Sequence, residues 1–515
     1  YYWSLGYTNN EGYLLGDEYK TIRSRINADT KINDFLTVGI NTQFANNDKS
    51  AVAVGLWNAI AQSPLATPYD EDGNLKWYPH DDSGIEANPF LNNAYRDKLN
   101  IINNLFANMY AELQLPFGFS YKVSFINRYE WEKNYYFDPT NLPQGDRVGG
   151  IAERRNISLY EWQIDNILSW KKTFGIHDFY ATFLYNAEKK QTSEDVATNQ
   201  GFSISERLSY HQLGAGSSPT INNNDTYSTG TAIMGRLNYT LMNRYLLTLS
   251  IRRDGYSAFG INNPYATFPS GALAWTLSEE SFFNVNWVDH LKIRMSYGLN
   301  GNRDIGIYSA LSQLGTTKYI SNGTYLSGIY SNSMANNYLK WEKTKALNIG
   351  LDFSLLNNHL SGTIDYYDMA TNDLLLTRSL PTIIGYNSVM SNMGELANKG
   401  FELTLNSRNI EKTDFTWNST FTLSLNRNKI RYLYGEMENI LDENGNIIGT
   451  KEADDITNGW FIGQAIDRIW DYKFLGIYQL GEEELASSFG KSPGDTKLLD
   501  VDGNGVSTQE DKIFQ

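Results

Sequence analysis

The chain has 515 residues and a net charge of −15, with 43 Lys and Arg against 58 Asp and Glu. This acidic balance disfavours nucleic acid as a partner, and the absence of Cys excludes disulfides, thiolate metal sites and a Cys nucleophile. The mean hydropathy of −0.45 disfavours helical membrane spans but is compatible with a membrane β-barrel, in which only alternate residues contact lipid.

Alternation of apolar and polar residues runs along most of the chain and predicts about fifteen long β-strands. In chain order these cover residues 1–9, 19–31, 35–45, 101–115, 119–130, 151–170, 178–188, 232–241, 245–253, 268–277, 291–299, 347–355, 360–367, 395–407 and 415–430. Their connections alternate between short turns and long polar loops, the longest being residues 47–99, 190–227, 300–338 and 431–515. Loops segregated by length in this way are typical of an all-β, antiparallel, up-and-down transmembrane barrel.

Residues 346–368 show the pattern most clearly. They predict a hairpin with one continuously apolar face and one polar face that carries Asp352 and Asp365. A soluble sandwich would bury the apolar face, whereas a membrane barrel would turn it towards lipid. Sandwich strands are usually shorter, about 5–6 residues, so strand length favours the barrel. The alternative from another class is a secreted, soluble all-β protein that binds or hydrolyses glycans.

Several stretches, in this order and spacing, resemble the SusC/RagA-type TonB-dependent outer-membrane transporters. They include YYWSLGYTNNEG at 1–12, SIRRDGYSAFG at 250–260, ALNIGLDFSLLNNHLSGTIDYYD at 346–368 and NMGELANKGFELTLN at 392–406. The resemblance implies a barrel of about 22 strands with a lumen plugged by its own N-terminal domain. Residues 1–515 would form one partial barrel domain, and residues 431–515 a large extracellular loop segment within it. The plug, the TonB-contacting segment and the C-terminal strands are expected outside this sequence.

The resemblance also implies a function. The protein would lie in the outer membrane of a Gram-negative bacterium, in contact with outer-membrane lipid. It would import a nutrient oligomer, an oligosaccharide or oligopeptide, with energy from the TonB complex and with a SusD-like surface lipoprotein as partner. The alternative among transporters is a TonB-dependent siderophore or metal-chelate receptor, which works without a surface lipoprotein that closes over the barrel as a lid. No catalytic residues are predicted, because the five His are scattered and no nucleophile or phosphate-binding motif is found.

One metal motif occurs, in residues 500–511. Oxygen donors fall at positions 1, 3, 5 and 9 of a twelve-residue loop, with Gly505 at position 6 and an acid at position 12. Ser507 at position 8 and an Asp rather than Glu at position 12 depart from the usual pattern. The predicted cofactor is a structural Ca²⁺, with the ligands Asp500, Asp502, Asn504, Val506 (through its carbonyl), Thr508 and Asp511. Residues 70–74 and 442–446 lack a closing acid and predict plain turns.

Aromatic residues in or beside the long loops are candidates for stacking on a sugar or peptide. The predicted ligand-binding set is Trp57, Trp77, Tyr78, Trp131, Trp460 and Trp470. By contrast, Trp3, Trp170, Trp275 and Trp417 lie within predicted strands and are expected to face lipid or its interface.

Overall fold

The computed structural model describes residues 1–80, 86–202, 206–386, 388–442 and 444–515. It divides into two compact units, each described separately below. The first comprises Tyr1–Tyr239, Ser250–Ala258 and Gly306–Tyr308, and the second comprises Thr240–Leu249, Phe259–Ile305 and Ser309–Gln515. No helix in the described residues is long and apolar enough to cross a membrane.

Long antiparallel strands dominate the first part of the chain. In order, the elements are β1 (Tyr2–Glu11), β2 (Glu18–Lys31), β3 (Leu36–Asp48), α1 (Leu56–Ile60), α2 (Leu91–Tyr95), β4 (Asp97–Gln114), β5 (Phe119–Asp138), α3 (Pro143–Asp146), β6 (Ile151–Phe174), β7 (His177–Gln200), β8 (Thr220–Leu241) and β9 (Tyr245–Tyr256). Each of β1 to β7 pairs antiparallel with its neighbour in sequence.

The second part of the chain adds further long strands and several short hairpins. Its elements are β10 (Tyr265–Thr276), β11 (Val288–Asn302), β12 (Leu314–Ser321), β13 (Thr324–Ser331), β14 (Glu342–Leu355), β15 (Leu360–Asn372), β16 (Leu375–Ser379), β17 (Ser388–Asn392), β18 (Glu395–Lys412), β19 (Phe415–Tyr432), β20 (Met437–Leu441), β21 (Ile447–Glu452), β22 (Trp470–Tyr472), β23 (Phe474–Ile477), α4 (Glu483–Ser488), β24 (Thr496–Leu498) and β25 (Lys512–Phe514). The fifteen long strands form one sheet in the order β1 to β11, β14, β15, β18 and β19, which confirms the predicted number of long strands.

The register shows which side chains share a face. Leu351 lies opposite Ile364, and Asp352 lies opposite Thr363, so the apolar and polar faces of the predicted hairpin continue across the strand pair. The same separation holds in the first unit, where Tyr110 pairs with Ser124 on the polar face. We call the polar face the lumen face and the apolar face the outward face, because a barrel in a membrane turns its apolar face to lipid.

Two predicted loops are shorter than expected. The sequence predicts a loop over residues 190–227, but β7 continues to Gln200 and β8 begins at Thr220. Likewise, the loop between β5 and β6 is shortened, because β5 continues eight residues beyond its predicted end. The extensions of β7 and β8 are rich in polar residues and carry no apolar alternation, because backbone pairing alone continues the ladder beyond the apolar band. Residues 300–338 and 431–515 also contain short antiparallel strand pairs that the sequence analysis treats as loop.

Candidate functional site

The segment between β3 and β4 is fastened to the lumen face at the long-loop end of the first unit. Arg96 Nε and Nη2 donate to the two carboxylate oxygens of Asp138, at 2.6 and 2.7 Å, and the Asp138 side chain is buried. Lys98 Nζ donates to the Ala51 carbonyl at 3.4 Å. Asp138 and Lys98 belong to the lumen-facing sets of β5 and β4. The bidentate pair therefore holds this segment on the lumen side of the wall.

The predicted ligand-binding aromatics lie in three different settings. Trp57, Trp77 and Tyr78 belong to the fastened segment, and Trp57 is 74% exposed. Trp131 is on the outward face of β5, where its ring stacks on Tyr129 with centroids 5.6 Å apart. The remaining two belong to the second unit and are half-buried, Trp460 in a bridge with Asp455 and Trp470 against Phe461. The structure thus does not gather the six into one site.

A polar cavity of about 320 Å³ lies on the long-loop side of the second unit. Its lining includes Arg378, Tyr434, Glu436 and Asp455. The Tyr434 hydroxyl donates to Asp455 at 2.6 Å. Burial, together with this hydrogen bond to a carboxylate, raises the pKa of Tyr434 above its ordinary value. An ion pair between Arg378 and Glu436, at 2.9 Å, adds a charged group of each sign. The sequence analysis missed this cavity, because it is assembled from two segments, 377–378 and 434–458, that are more than 50 residues apart in the chain.

The acidic loop 500–511 has the predicted shape. Carboxylate oxygens of Asp500, Asp502 and Asp511 lie within 4.8 Å of one another, the one such group of metal-binding side chains in the part of the chain that the structure describes. Gly505 has φ +75°, a left-handed conformation that favours glycine and that gives the sharp turn at position 6. Three of the six predicted ligands are thus brought together.

Backbone N–H groups already hold these acids in place. Asp511 is fully buried and accepts from the N–H groups of Val501 and Thr508, at 2.7 and 2.8 Å. These hydrogen bonds lower the pKa of Asp511 below its ordinary value. Asp500 accepts from the N–H groups of Gly503 and Gly505. Clustered carboxylate oxygens are the donors that a hard divalent cation prefers, so the residues present fit Ca²⁺.

The two related segments are turns, as predicted. Asp70 Oδ1 accepts from the N–H groups of Asp72 and Asn74, at 3.0 and 2.8 Å. Asp442 accepts from Asn446 in the same way, at 2.8 Å. Each carboxylate is thus satisfied by its own turn, and neither belongs to a group of three acids in the described residues.

The lumen face also carries ion-pair networks that the sequence analysis did not predict. Arg294 on β11 donates to Asp352 on β14 at 2.9 Å and to Asp365 on β15 at 3.1 Å. In the first unit, Arg128 and Arg155 lie on the lumen face, each within 4 Å of two glutamates. The only sequence signal for these networks is charge on the polar face, which does not identify partners 58 and 71 residues away.

Comparison with known proteins identifies the family. The family described as TonB dependent receptor-like, beta-barrel, matches residues 39–473. The TonB-dependent receptor P3 of Formosa agariphila is 31% identical over 534 residues, covering 100% of this chain and 52% of that protein. The TonB-dependent receptor SusC of Bacteroides thetaiotaomicron is 29% identical, covering 84% of this chain and 46% of SusC. The chain therefore spans about half the length of the curated relatives that it matches.

A solved structure has the same fold. The RagAB peptide transporter superposes with a TM-score of 0.79 at 21% identity, covering 100% of this chain and 56% of the matched chain. These relatives are named as receptors and a transporter, not as enzymes. From the family match over most of its length, this chain belongs to the TonB-dependent receptor β-barrel family, is of its SusC/RagA type, and is an outer-membrane protein of a Gram-negative bacterium.

Proposed function

We propose that the protein containing this chain imports a nutrient oligomer, an oligosaccharide or oligopeptide, across the outer membrane with energy from the TonB complex. The observation that carries the proposal is the family match over residues 39–473. The lumen-side contacts of Ala51 and Arg96 support it, because they hold the neighbouring exposed Trp57 on the side of the wall where cargo would pass. The protein itself breaks no bond in this scheme.

Cargo contact is proposed for five of the six predicted aromatics, with Trp57 as the first to test; Trp131 is left out because it lies on the outward face of β5. Trp57 combines the largest exposure of the six with a position in the lumen-side segment. Stacking on a sugar or peptide contributes about 0.5–1.5 kcal/mol beyond area burial. Trp57→Ala should therefore weaken cargo binding roughly 2- to 12-fold, and Trp3→Ala, an exposed Trp of β1, is the matched control. Equal binding by the two variants would remove Trp57 from the cargo site.

A surface lipoprotein of the SusD class is proposed as partner, and the β12–β13 hairpin is the surface we assign to it. Its large apolar side chains are 43–72% exposed: Leu314, Tyr319, Ile320, Tyr325, Leu326, Ile329 and Tyr330. An isolated two-stranded hairpin is marginally stable in water, so these side chains need a cover. The hairpin lies in a long loop, beyond the ends of β11 and β14, where a surface protein is accessible and acyl chains are not.

Co-purification in mild detergent tests this partnership. The wild-type protein should bring down a lipidated protein in near-equal amount, and the double variant Tyr325→Glu, Ile329→Glu should lose it. Thr450→Glu, on the separate β20–β21 hairpin, serves as the control for added charge. Isolation of the receptor alone under several detergents would instead favour a siderophore-type receptor without a lid.

We also propose that residues 500–511 bind one structural Ca²⁺. Asp500, Asp502, Asn504, Thr508 and Asp511 would supply side-chain oxygens, and Val506 its carbonyl. The ion would neutralise three carboxylates that are held together, and it would thereby order the segment that leads into β25. Calorimetric titration should give a Kd of about 10⁻⁴–10⁻³ M, the range of extracellular modules. Asp511→Asn should abolish this binding, whereas Asp442→Asn, in a plain turn, should not.

A further inference from the structure

The polar cavity of about 320 Å³ in the second unit lies where cargo would first reach the protein. Residues 377–378 of its lining come from β16, which follows β15, and residues 434–458 follow β19. Both β15 and β19 begin at short turns and run towards the long-loop end. The side chains of Arg378 and Glu436 are 45% and 60% exposed, so the cavity opens to solvent.

Carboxylates outnumber cations in the lining of this cavity. Its charged residues are three acids and one base: Glu436, Asp454, Asp455 and Arg378. Arg378 is already paired with Glu436, at 2.9 Å. Asp455 accepts from two neutral groups, the Tyr434 hydroxyl at 2.6 Å and the Asn458 Nδ2 at 2.7 Å. The cavity therefore carries an excess of negative charge.

The lining also has acceptor oxygens to spare. Oδ1 of Asp454 accepts from the Ile462 N–H at 2.6 Å. The cation nearest to its Oδ2, within the described residues, is Lys451 at 4.0 Å, and Lys451 is itself paired with Glu438 at 2.9 Å. A ligand that fits here would donate hydrogen bonds and carry a positive charge, because hydrogen bonds to a carboxylate are strongest from a charged donor.

The spacing of the acids favours an organic cation over a metal ion. In loop 500–511, three carboxylates bring oxygens within 4.8 Å of one another, whereas those of Glu436, Asp454 and Asp455 do not form such a group. Oxygens that share one Ca²⁺ at 2.3–2.6 Å lie at most about 5 Å apart. A cargo molecule can span the wider arrangement, with its cation at one or two acids and other N–H or O–H groups at the rest.

The cavity is tied to the lumen face and to a predicted ligand-binding aromatic. Ile466 N–H donates at 2.8 Å to Oδ1 of Asn428, which lies on the face of β19 that carries Thr422. Thr422 is opposite Thr404 on the lumen face. The backbone of Trp460 exchanges hydrogen bonds with that of Asp455, at 2.8 and 2.9 Å. The cavity therefore lies beside the path proposed for cargo.

We propose that this cavity binds a primary ammonium group of the cargo, either the terminal ammonium of an oligopeptide or that of an amino sugar in an oligosaccharide. This inference rests on the proposed import function. Asp454 and Glu436 accept hydrogen bonds from the ammonium, and the N–H groups of Arg378 that face away from Glu436 donate to a neighbouring carbonyl or hydroxyl. The excess negative charge also raises the local concentration of cationic cargo.

Calorimetric titration of the full-length receptor in neutral detergent tests the proposal with two matched pairs of probes. One pair is an alanine oligopeptide amide with a free or an acetylated amino terminus, and the other is a glucosamine oligomer with free or acetylated amino groups. In at least one pair, the free amine should bind about tenfold or more tightly than its acetylated form, because acetylation removes a charged hydrogen bond. The pair that shows this preference identifies the source of the ammonium.

Two variants locate the effect in the cavity. Asp454→Asn and Glu436→Gln keep the size of each side chain, and each should weaken binding of the free amine about tenfold without changing that of the acetylated form. Glu438→Gln is the matched control, because Glu438 is paired with Lys451 and does not belong to the lining. It should bind both probes as the wild type does.

Three outcomes would overturn the assignment: equal binding within both pairs, no binding of either free amine at millimolar concentration, or an equal loss in Glu438→Gln. The comparison of probes on the wild type needs no variant, so it decides the question even if a variant does not fold. The import proposal has a separate test. Uptake of an uncharged oligomer that disappears in cells without TonB would support import even if the cavity shows no preference for an amine.

Discussion

Two separate substitutions, one on each face of β14, give the sharpest test of which face of the sheet contacts lipid. Ile349 is 43% exposed on the outward face, between Met295 of β11 and Tyr366 of β15, which are exposed to a similar degree. It lies six residues from Leu355, where the strand ends at a short turn, a distance of about 20 Å along the strand. At a tilt of about 40° this is about 15 Å above the turn, well inside the apolar band.

Ile349→Arg should therefore destabilise the folded protein by about 2–4 kcal/mol, the cost of a cation near the bilayer midplane. The control is Asn348→Arg, one residue away on the lumen face. Asn348 lines a cavity of about 280 Å³ together with Ser296 and Ala272, so the new side chain has room and contacts no lipid. Its cost should stay below about 1 kcal/mol, the usual range for a change at a polar, accessible position.

Urea titrations of the full-length protein in lipid vesicles would measure both free energies of unfolding. Comparison in vesicles with thinner acyl chains adds a second readout, because only the outward substitution depends on depth in the bilayer. Equal costs for the two variants would refute the assignment of faces. A larger cost for Asn348→Arg would mean that the apolar face lies inside, as in the soluble sandwich.

Three further predictions concern the lumen face and the acidic loop. Gly400→Val should lower the free energy of unfolding by about 1–3 kcal/mol in the same titrations, because a Cβ at residue 400 would lie 2.2 Å from the Tyr367 ring. Gly6→Ala is the control: a Cβ at residue 6 would have no atom within 4 Å, so the loss should be less than about 1 kcal/mol. Arg294→Gln should lower stability, because it leaves Asp352 and Asp365 without their shared cation. Lys318→Gln, at an exposed lysine of the β12–β13 hairpin, is the control and should cost less. Equal losses would show that the ion-pair network contributes nothing to stability. The pKa of Asp511 is lowered in the folded protein, so its contribution to stability is complete above the ordinary pKa and is lost as pH falls through the lowered one. The amide protection factors at residues 500–511, which compare exchange with that of an unstructured chain at the same pH, should therefore be unchanged from pH 7 to pH 5 and fall below about pH 4 in the wild type. An Asp511→Asn protein that shows the same fall would contradict this origin.

Much of the wall could be predicted from the sequence, because strand facing is a local property. A side chain at one position points opposite to its neighbour, so the alternation around Leu351 and Asp352 reports both faces without any knowledge of partners. The shape of the acidic loop is local as well. Gly505, Asp500 and Asp511 fall within twelve residues, and their spacing predicts the turn and the gathering of carboxylates that the structure shows.

Only the tertiary structure decided which residues meet across strands and where the long loops go. The contact of Arg294 with Asp365 spans 71 residues, and that of Ser209 with Asp97 spans 112. Such pairs depend on the register of several strands at once, and a slip of one residue would turn each partner to the opposite face. The direction in which a polar loop folds depends on a few distant contacts, since its own sequence has no apolar periodicity. For that reason Trp57 and Trp131 look alike in the sequence, although one lies in a segment held on the lumen side and the other lies on the outward face.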